Sequence, residues 1–333
     1  MLETIKTYLQ ITKPGIVLGN LITAAAGFTL ASKGHIDTVL LLSMLMGLSL
    51  VIASGCVFNN CIDRNMDQKM ARTKHRALAR GLISPGAALL YGTLLGIVGM
   101  TLLFSTTNPL CGITVLAGFM VYVVLYSLHL KPRSVHSTLI GSLAGAAPPL
   151  AGYCAVSNRF DMGALILLFI FGLWQMPHCY AIAVFRYNDY AAANIPILPI
   201  KRGIASTRKH VIAYMLAFMA ATLMLTFGGY TGYGFLAVAI AVNVIWLHTA
   251  WRGFERTDHR IWGRKLFMGS ILTVTLLCAM MSIDFKTKVT QDLLLASRFD
   301  SRQIHGEYFN EPTYVSETNE RHPSGTLSRR RPK

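Results

Sequence analysis

Nine stretches of this chain run for about twenty residues each without a single Asp, Glu, Lys or Arg, which is the length a helix needs to cross a bilayer. They lie near 14–32, 38–58, 86–105, 109–127, 138–157, 162–185, 210–228, 231–251 and 266–283. Few folds can hide that much apolar chain except a membrane bundle. Composition agrees: 53% of the 333 residues are hydrophobic and only 14% are charged, against about 25% charged in soluble domains. Mean hydropathy is +0.46. The expected fold is all-α, a polytopic bundle of about nine transmembrane helices over residues 1–285. Residues 286–333, charged and poor in apolar residues, are expected to form a disordered tail. Glycine and proline are frequent in the spans, as in GSLAGAAPPLAGY (141–153). Small residues allow close helix packing, and the Pro-Pro pair is expected to bend or break its helix.

The formal charge of +16 would raise nucleic-acid binding in a soluble protein. Here the cations sit between apolar runs, so they set orientation and face anionic lipid instead; no nucleic acid is expected. Lys6 and Lys13 precede the first span. The loops 59–85, 128–137, 186–209 and 252–265 carry most of the other basic residues, whereas the opposite loops hold Lys33 and Arg159 alone. This bias places the N-terminus and the basic loops in the cytoplasm, and nine spans put the C-terminal tail outside. The six cysteines form no CxxC pair, so neither a zinc site nor a disulfide framework is expected. The N-terminal segment contains Glu3 and lacks an Arg/Ser-rich, acid-poor character, which points to a bacterial inner membrane.

Where the second span meets the basic side, the sequence reads NNCIDRNMD. Asn59, Asp63 and Asp67 recur every fourth residue and share one face if the helix continues past the membrane edge. Two carboxylates and an amide oxygen suit a hard cation such as Mg²⁺. RTKHRALARG follows, with Arg72, Lys74 and Arg76 able to grip the oxygens of a polyphosphate bridged to that cation. Spacing alone equally allows a solvated helix end with i,i+4 charge pairs. The sixth span also runs into a large basic-side loop, past Arg186 to Asp189. Asp189 either completes a second metal or diphosphate site or is merely interfacial. His178, inside WQMPHCY, could ligate iron, act as a base or hydrogen-bond a neighbouring helix.

The Asn-x-x-x-Asp-x-x-x-Asp motif with RTKHRAL resembles the UbiA-type intramembrane prenyltransferases. SGCVFNNCIDRNMD, GSLAGAAPPLAGYCA, LWQMPHCYAIAVFRYNDYAAANIPILPIKRG and RIWGRKLFMGSI resemble the branch of that superfamily that farnesylates haem. Quinone-type members usually carry a second Asp-x-x-x-Asp in the later loop; here Ala193 stands four after Asp189. The resemblance implies transfer of farnesyl from farnesyl diphosphate to the 2-vinyl group of haem B, at an active site opening on the cytoplasmic face. It implies Mg²⁺ or another divalent cation on Asn59, Asp63, Asp67 and Asp189. By the same resemblance, Arg72, Lys74, Arg76 and Arg186 bind substrate, His178 contacts haem, and Lys13 and Asn20 line the cavity. Expected partners are haem B, farnesyl diphosphate, the lipid bilayer, and a haem A synthase or the haem-copper oxidase assembly machinery. The alternatives are prenylation of a quinone or chlorophyll precursor, a haem transporter and an oxidase assembly factor. A transporter would place ionisable groups near the midplane, and these spans have none.

Overall fold

The computed structural model describes residues 2–254 and 258–286. The expectation of a disordered tail over 286–333 falls, apart from Lys286, outside them. Among the described residues the secondary structure is helical, with a single isolated bridge between Thr231 and Phe285.

A short helix, α1 (Leu2–Ile11), leads into α2 (Pro14–Ser32) through Lys13 in left-handed conformation. Then come α3 (Thr38–Ile62), the single turn α4 (Arg64–Asp67), α5 (Pro85–Thr106) and α6 (Pro109–Met120). The last of these continues as a π-helix over Val121–Leu130. The chain proceeds through α7 (Ser137–Ser157), α8 (Met162–Phe185), α9 (Tyr187–Ala192), α10 (Leu198–Phe227), α11 (Tyr233–Trp251) and α12 (His259–Ile283). Nine of these helical segments are long and apolar enough to cross a membrane, so the chain is a multi-pass membrane protein.

Side chains at the loop borders explain where several spans begin. Asp37, Ser84, Asn108 and Asp161 each accept from a backbone N–H three residues on, satisfying donors a helix start would leave open. Proline at the first turn of α5 and α6 removes one such donor. Several spans reach further than their apolar stretches. The second continues to Ile62, the ninth starts at His259 with Arg260, Arg264 and Lys265 in its first turns, and the seventh begins at Leu198. Within that seventh helix Gly203 (φ 77°, ψ 166°) breaks the helical path; only glycine tolerates that backbone conformation without strain.

The Pro148–Pro149 pair does not break α7, which runs through both residues. The packing of α2 against α7 supports it. Gly27 lies against the Pro149 carbonyl and Gly152 against that of Ala24, so a methyl group at either glycine would overlap backbone. Backbones this close are the usual result of small residues at a membrane helix contact. Gly152→Val is expected to pry α2 from α7 and destabilise the protein by about 3 kcal/mol or more. A thermal-unfolding midpoint equal to wild type would show that the contact is not needed.

Helices α7, α8, α10, α11 and α12 share one buried core around Phe171, Phe218, Trp246 and Trp262. A second core joins α2, α3, α5, α6 and α7 around Phe28, Met44 and Leu103. Large apolar side chains left exposed, such as Leu90, Leu94 and Ile97 on α5, face outward, as lipid-facing residues must. All six cysteines are unpaired.

Candidate active site

Asp63 sits at the bend between α3 and α4, but the i,i+4 ladder survives it. Asp63 N–H donates to Asn59 O (2.9 Å) and Asp67 N–H donates to Asp63 O (2.8 Å). The three motif residues therefore share a face, and all are buried, Asp63 and Asp67 at 1% and 2% exposure. They line one end of a cavity of about 600 Å³. Leu48 and Val51, lower on α3, line the same cavity. Helix rise of about 1.5 Å per residue puts Leu48 about 22 Å from Asp63, so a polar mouth leads into a deep apolar interior.

Each motif residue has a basic partner. Lys13 Nζ donates to Asn59 Oδ1 at 2.6 Å. Lys131 Nζ pairs with Asp63 Oδ2. Arg76 Nη1 donates to both oxygens of Asp67, at 3.1 and 2.8 Å. Burial, and then the nearby Arg76 charge, lower the Lys13 pKa to about 8. Asn59 is held further by donating Nδ2 to Ser127 Oγ at 3.0 Å, and Asn60 ties α1 in place through Ile11 O.

Lys131, Ser127, Tyr126 and Tyr122 are contributions that sequence reasoning missed; Lys131 signalled only orientation. The π-helix explains them. At about 100° per residue an α-helix would set Lys131 nearly opposite Tyr122. In a helix with i→i+5 bonds, at roughly 80° per residue, two full turns separate them. Both then meet the cavity, with Tyr126 stacked on Tyr122 at 6.0 Å. The bond from Lys131 N–H to Tyr126 O (2.8 Å) closes this turn.

The other expected site residues divide. Lys13, Asn20, Arg72, Arg76 and Arg186 line the cavity. Lys74 is exposed and lines neither this cavity nor its neighbour. Asp189 lies apart from the three motif residues, in a second cavity of about 550 Å³, where its Oδ1 accepts from Arg72 N–H at 3.4 Å. His178 does not line the main cavity either. Its Nδ1 meets Ser270 Oγ at 2.7 Å, and its ring stacks on Trp174 (4.7 Å) and tilts against Phe267 (5.0 Å). Ala193 is buried with Met70, Ile195 and Ile197; an ionised carboxylate there would be costly.

A deep apolar cavity capped by carboxylates and cations suits a substrate with a long hydrocarbon tail and a polyanionic head. Residues 20–271 match the UbiA prenyltransferase family. The chain belongs to that family. Two relatives show how closely. A protoheme IX farnesyltransferase of Pseudomonas syringae pv. syringae (strain B728a) is 57% identical over 296 residues, which is 89% of this chain and all of that protein. One from Yersinia enterocolitica serotype O:8 / biotype 1B is 58% identical over 290 residues, 87% of this chain and 98% of the relative. Solved structures share the UbiA fold at lower identity. A digeranylgeranylglyceryl phosphate synthase matches with a TM-score of 0.71 at 17% identity, covering 85% of this chain and 98% of its own. A UbiA homolog from Archaeoglobus fulgidus bound to GPP and Mg²⁺ matches at 0.60 and 16%, covering 83% and 100%.

The motif also passes a test of fit for a divalent cation. Its donors are all oxygens, and Asp63 Oδ1 is buried with no hydrogen-bond partner. A buried carboxylate oxygen left unpaired is costly, and a hard cation would satisfy it.

Proposed function

We propose that this UbiA-family chain farnesylates haem B, giving haem O, at the cavity headed by Asn59, Asp63 and Asp67. High identity over the full length of the protoheme IX farnesyltransferases carries the acceptor. The single structural observation that carries the site is the buried, unpaired Asp63 Oδ1 at the head of an apolar cavity. Held by Asn59, Asp63 and Asp67, Mg²⁺ or a similar cation would supply charge stabilisation to the leaving diphosphate.

The chain's own residues do the rest. Lys13, Arg76 and Lys131 are positioned to turn from the motif toward diphosphate oxygens and stabilise the charge that develops there. Asn20 and the apolar walls down to Leu48 hold the farnesyl chain and keep water away from its allylic carbon. The terminal carbon of the haem 2-vinyl group bonds to that carbon as the C–O bond to diphosphate breaks. Positive charge is left on the vinyl carbon next to the porphyrin, where a water adds its oxygen and releases a proton. Tyr122 and Tyr126 line the path of that charge, with ring faces suited to a cation. Asp189 acts through the Arg72 backbone and His178 through Phe267, as positioning residues. The product suits a haem A synthase or the haem-copper oxidase assembly machinery.

The rival within the family is a quinone or chlorophyll precursor as acceptor. Offering haem B and an aromatic quinone precursor in parallel decides between them: only haem should gain a farnesyl group, and alkylation of the quinone precursor alone would reverse the assignment.

The orientation follows from the basic loops. The bilayer is a bacterial inner membrane, with the N-terminus and the motif in the cytoplasm and the segment after α12 outside. Cysteines placed at Lys69 or Lys201, in a chain without its native ones, should resist labelling from outside intact cells. Strong external labelling would invert the topology.

A further inference from the structure

We infer that the second cavity seats the propionate carboxylates of the porphyrin, with Arg186, Arg260 and His259 as their partners. The inference rests on haem as acceptor and adds where its anionic edge goes.

Volume makes a second compartment necessary. The main cavity, about 600 Å³, matches one ligand of ordinary size. A farnesyl diphosphate that runs from Asp63 toward Leu48 leaves too little of it for a whole porphyrin. The second cavity, about 550 Å³, adjoins it: Arg72, Phe185 and Arg186 line both. The macrocycle separates the reacting 2-vinyl group from the propionates. A porphyrin with its vinyl edge at the motif therefore extends past Phe185. Phe185 and Phe267, with ring centroids 5.6 Å apart, offer aromatic surface on the way.

Charge makes the compartment specific. Its described lining holds Arg72, Arg186, Arg260 and His259 against one carboxylate, Asp189. Asp189 meets the Arg72 backbone rather than an arginine side chain. Arg186 Nε is buried without a hydrogen-bond partner, and its guanidinium lies 4.8 Å from the Phe185 ring. Arg208 Nη2 contacts His259 Nδ1 at 2.9 Å. Arginine can only donate, so Nδ1 accepts and Nε2 keeps a proton to offer. Arg260 is exposed, which lets a carboxylate bind while staying partly hydrated, without the cost of full burial. An arginine–carboxylate pair of this kind is charge-assisted and specific. An anionic lipid headgroup shares that chemistry, so the test must separate the two sources.

Haem B and its dimethyl ester, titrated against purified full-length protein in neutral-lipid nanodiscs, differ only in the propionate charges. Wild type should bind haem B at least about tenfold more tightly than the ester. Arg260→Gln should lose about tenfold for haem B and nothing for the ester, with an unchanged KM for farnesyl diphosphate, and His259→Gln should act in the same direction. Equal wild-type affinity for acid and ester would overturn the inference, as would equal losses for both ligands in Arg260→Gln. So would a preference for the acid that is lost when anionic lipid is added, because the arginines would then serve headgroups. Binding is read without turnover, so a wild-type protein that binds haem B but never alkylates it would fault the proposed reaction and leave this result standing.

Discussion

Asp63→Asn should cut Mg²⁺-dependent haem farnesylation by about a thousandfold or more, equivalent to about 4 kcal/mol of transition-state stabilisation. The amide keeps the size of the side chain and can still accept a hydrogen bond from Lys131. What it loses is the charge on the buried, unpaired Oδ1. Asp67→Asn should behave similarly. Asn59→Ala should be milder, because water can replace a neutral ligand. Each variant removes a charge or an acceptor that a buried cation uses, so thermal unfolding and haem binding must be measured beside turnover. A folded, haem-binding Asp63→Asn with wild-type turnover would reduce the motif to a buried, purely structural cluster of ion pairs.

Lys131→Met should lower kcat/KM for farnesyl diphosphate by about a hundredfold, or about 2.7 kcal/mol. Its side chain pairs with Asp63 while lining the cavity, so it lies within reach of any diphosphate held there. Lysine and a divalent cation compete for the same carboxylate, so the Mg²⁺ concentration for half-maximal rate should not rise. Lys74→Met provides the contrast. That lysine is exposed and lines neither cavity, and the rate should change less than about twofold, as for an exposed charge of small energetic weight. Comparable losses in the two variants would mean that general surface charge, rather than the Lys131 position, sets the rate.

These two lysines mark the limit of what the sequence reveals. The Asn59–Asp63–Asp67 face was legible because it needs only local i,i+4 geometry, which the bend at Asp63 preserves. Lys131 was not, because its place depends on a π-helix that no residue in VYVVLYSLHL announces. Lys74 and Arg76 look alike in sequence. Only the irregular path of 68–84, pinned by Gln68 to Ala79 O and Thr73 to Asp67 O, puts one at Asp67 and the other on the surface. The nine spans were plain from hydropathy, but their ends were not. Apolar content marks what lies in lipid, whereas α12 continues through Arg264 and Lys265 into the polar region. The Pro-Pro pair misled for a related reason. Local propensity favoured a break, and the tight packing of α2 against α7 accompanies a continuous helix.

The most direct test of the account incubates purified protein with haem B and farnesyl diphosphate, with Mg²⁺ or with a chelator, and weighs the extracted haem. With Mg²⁺ the haem should be heavier by one farnesyl and one hydroxyl group, and with the chelator it should remain unmodified haem B. Equal modification in both samples would contradict a cation held by Asn59, Asp63 and Asp67, and unmodified haem in both would contradict the reaction itself.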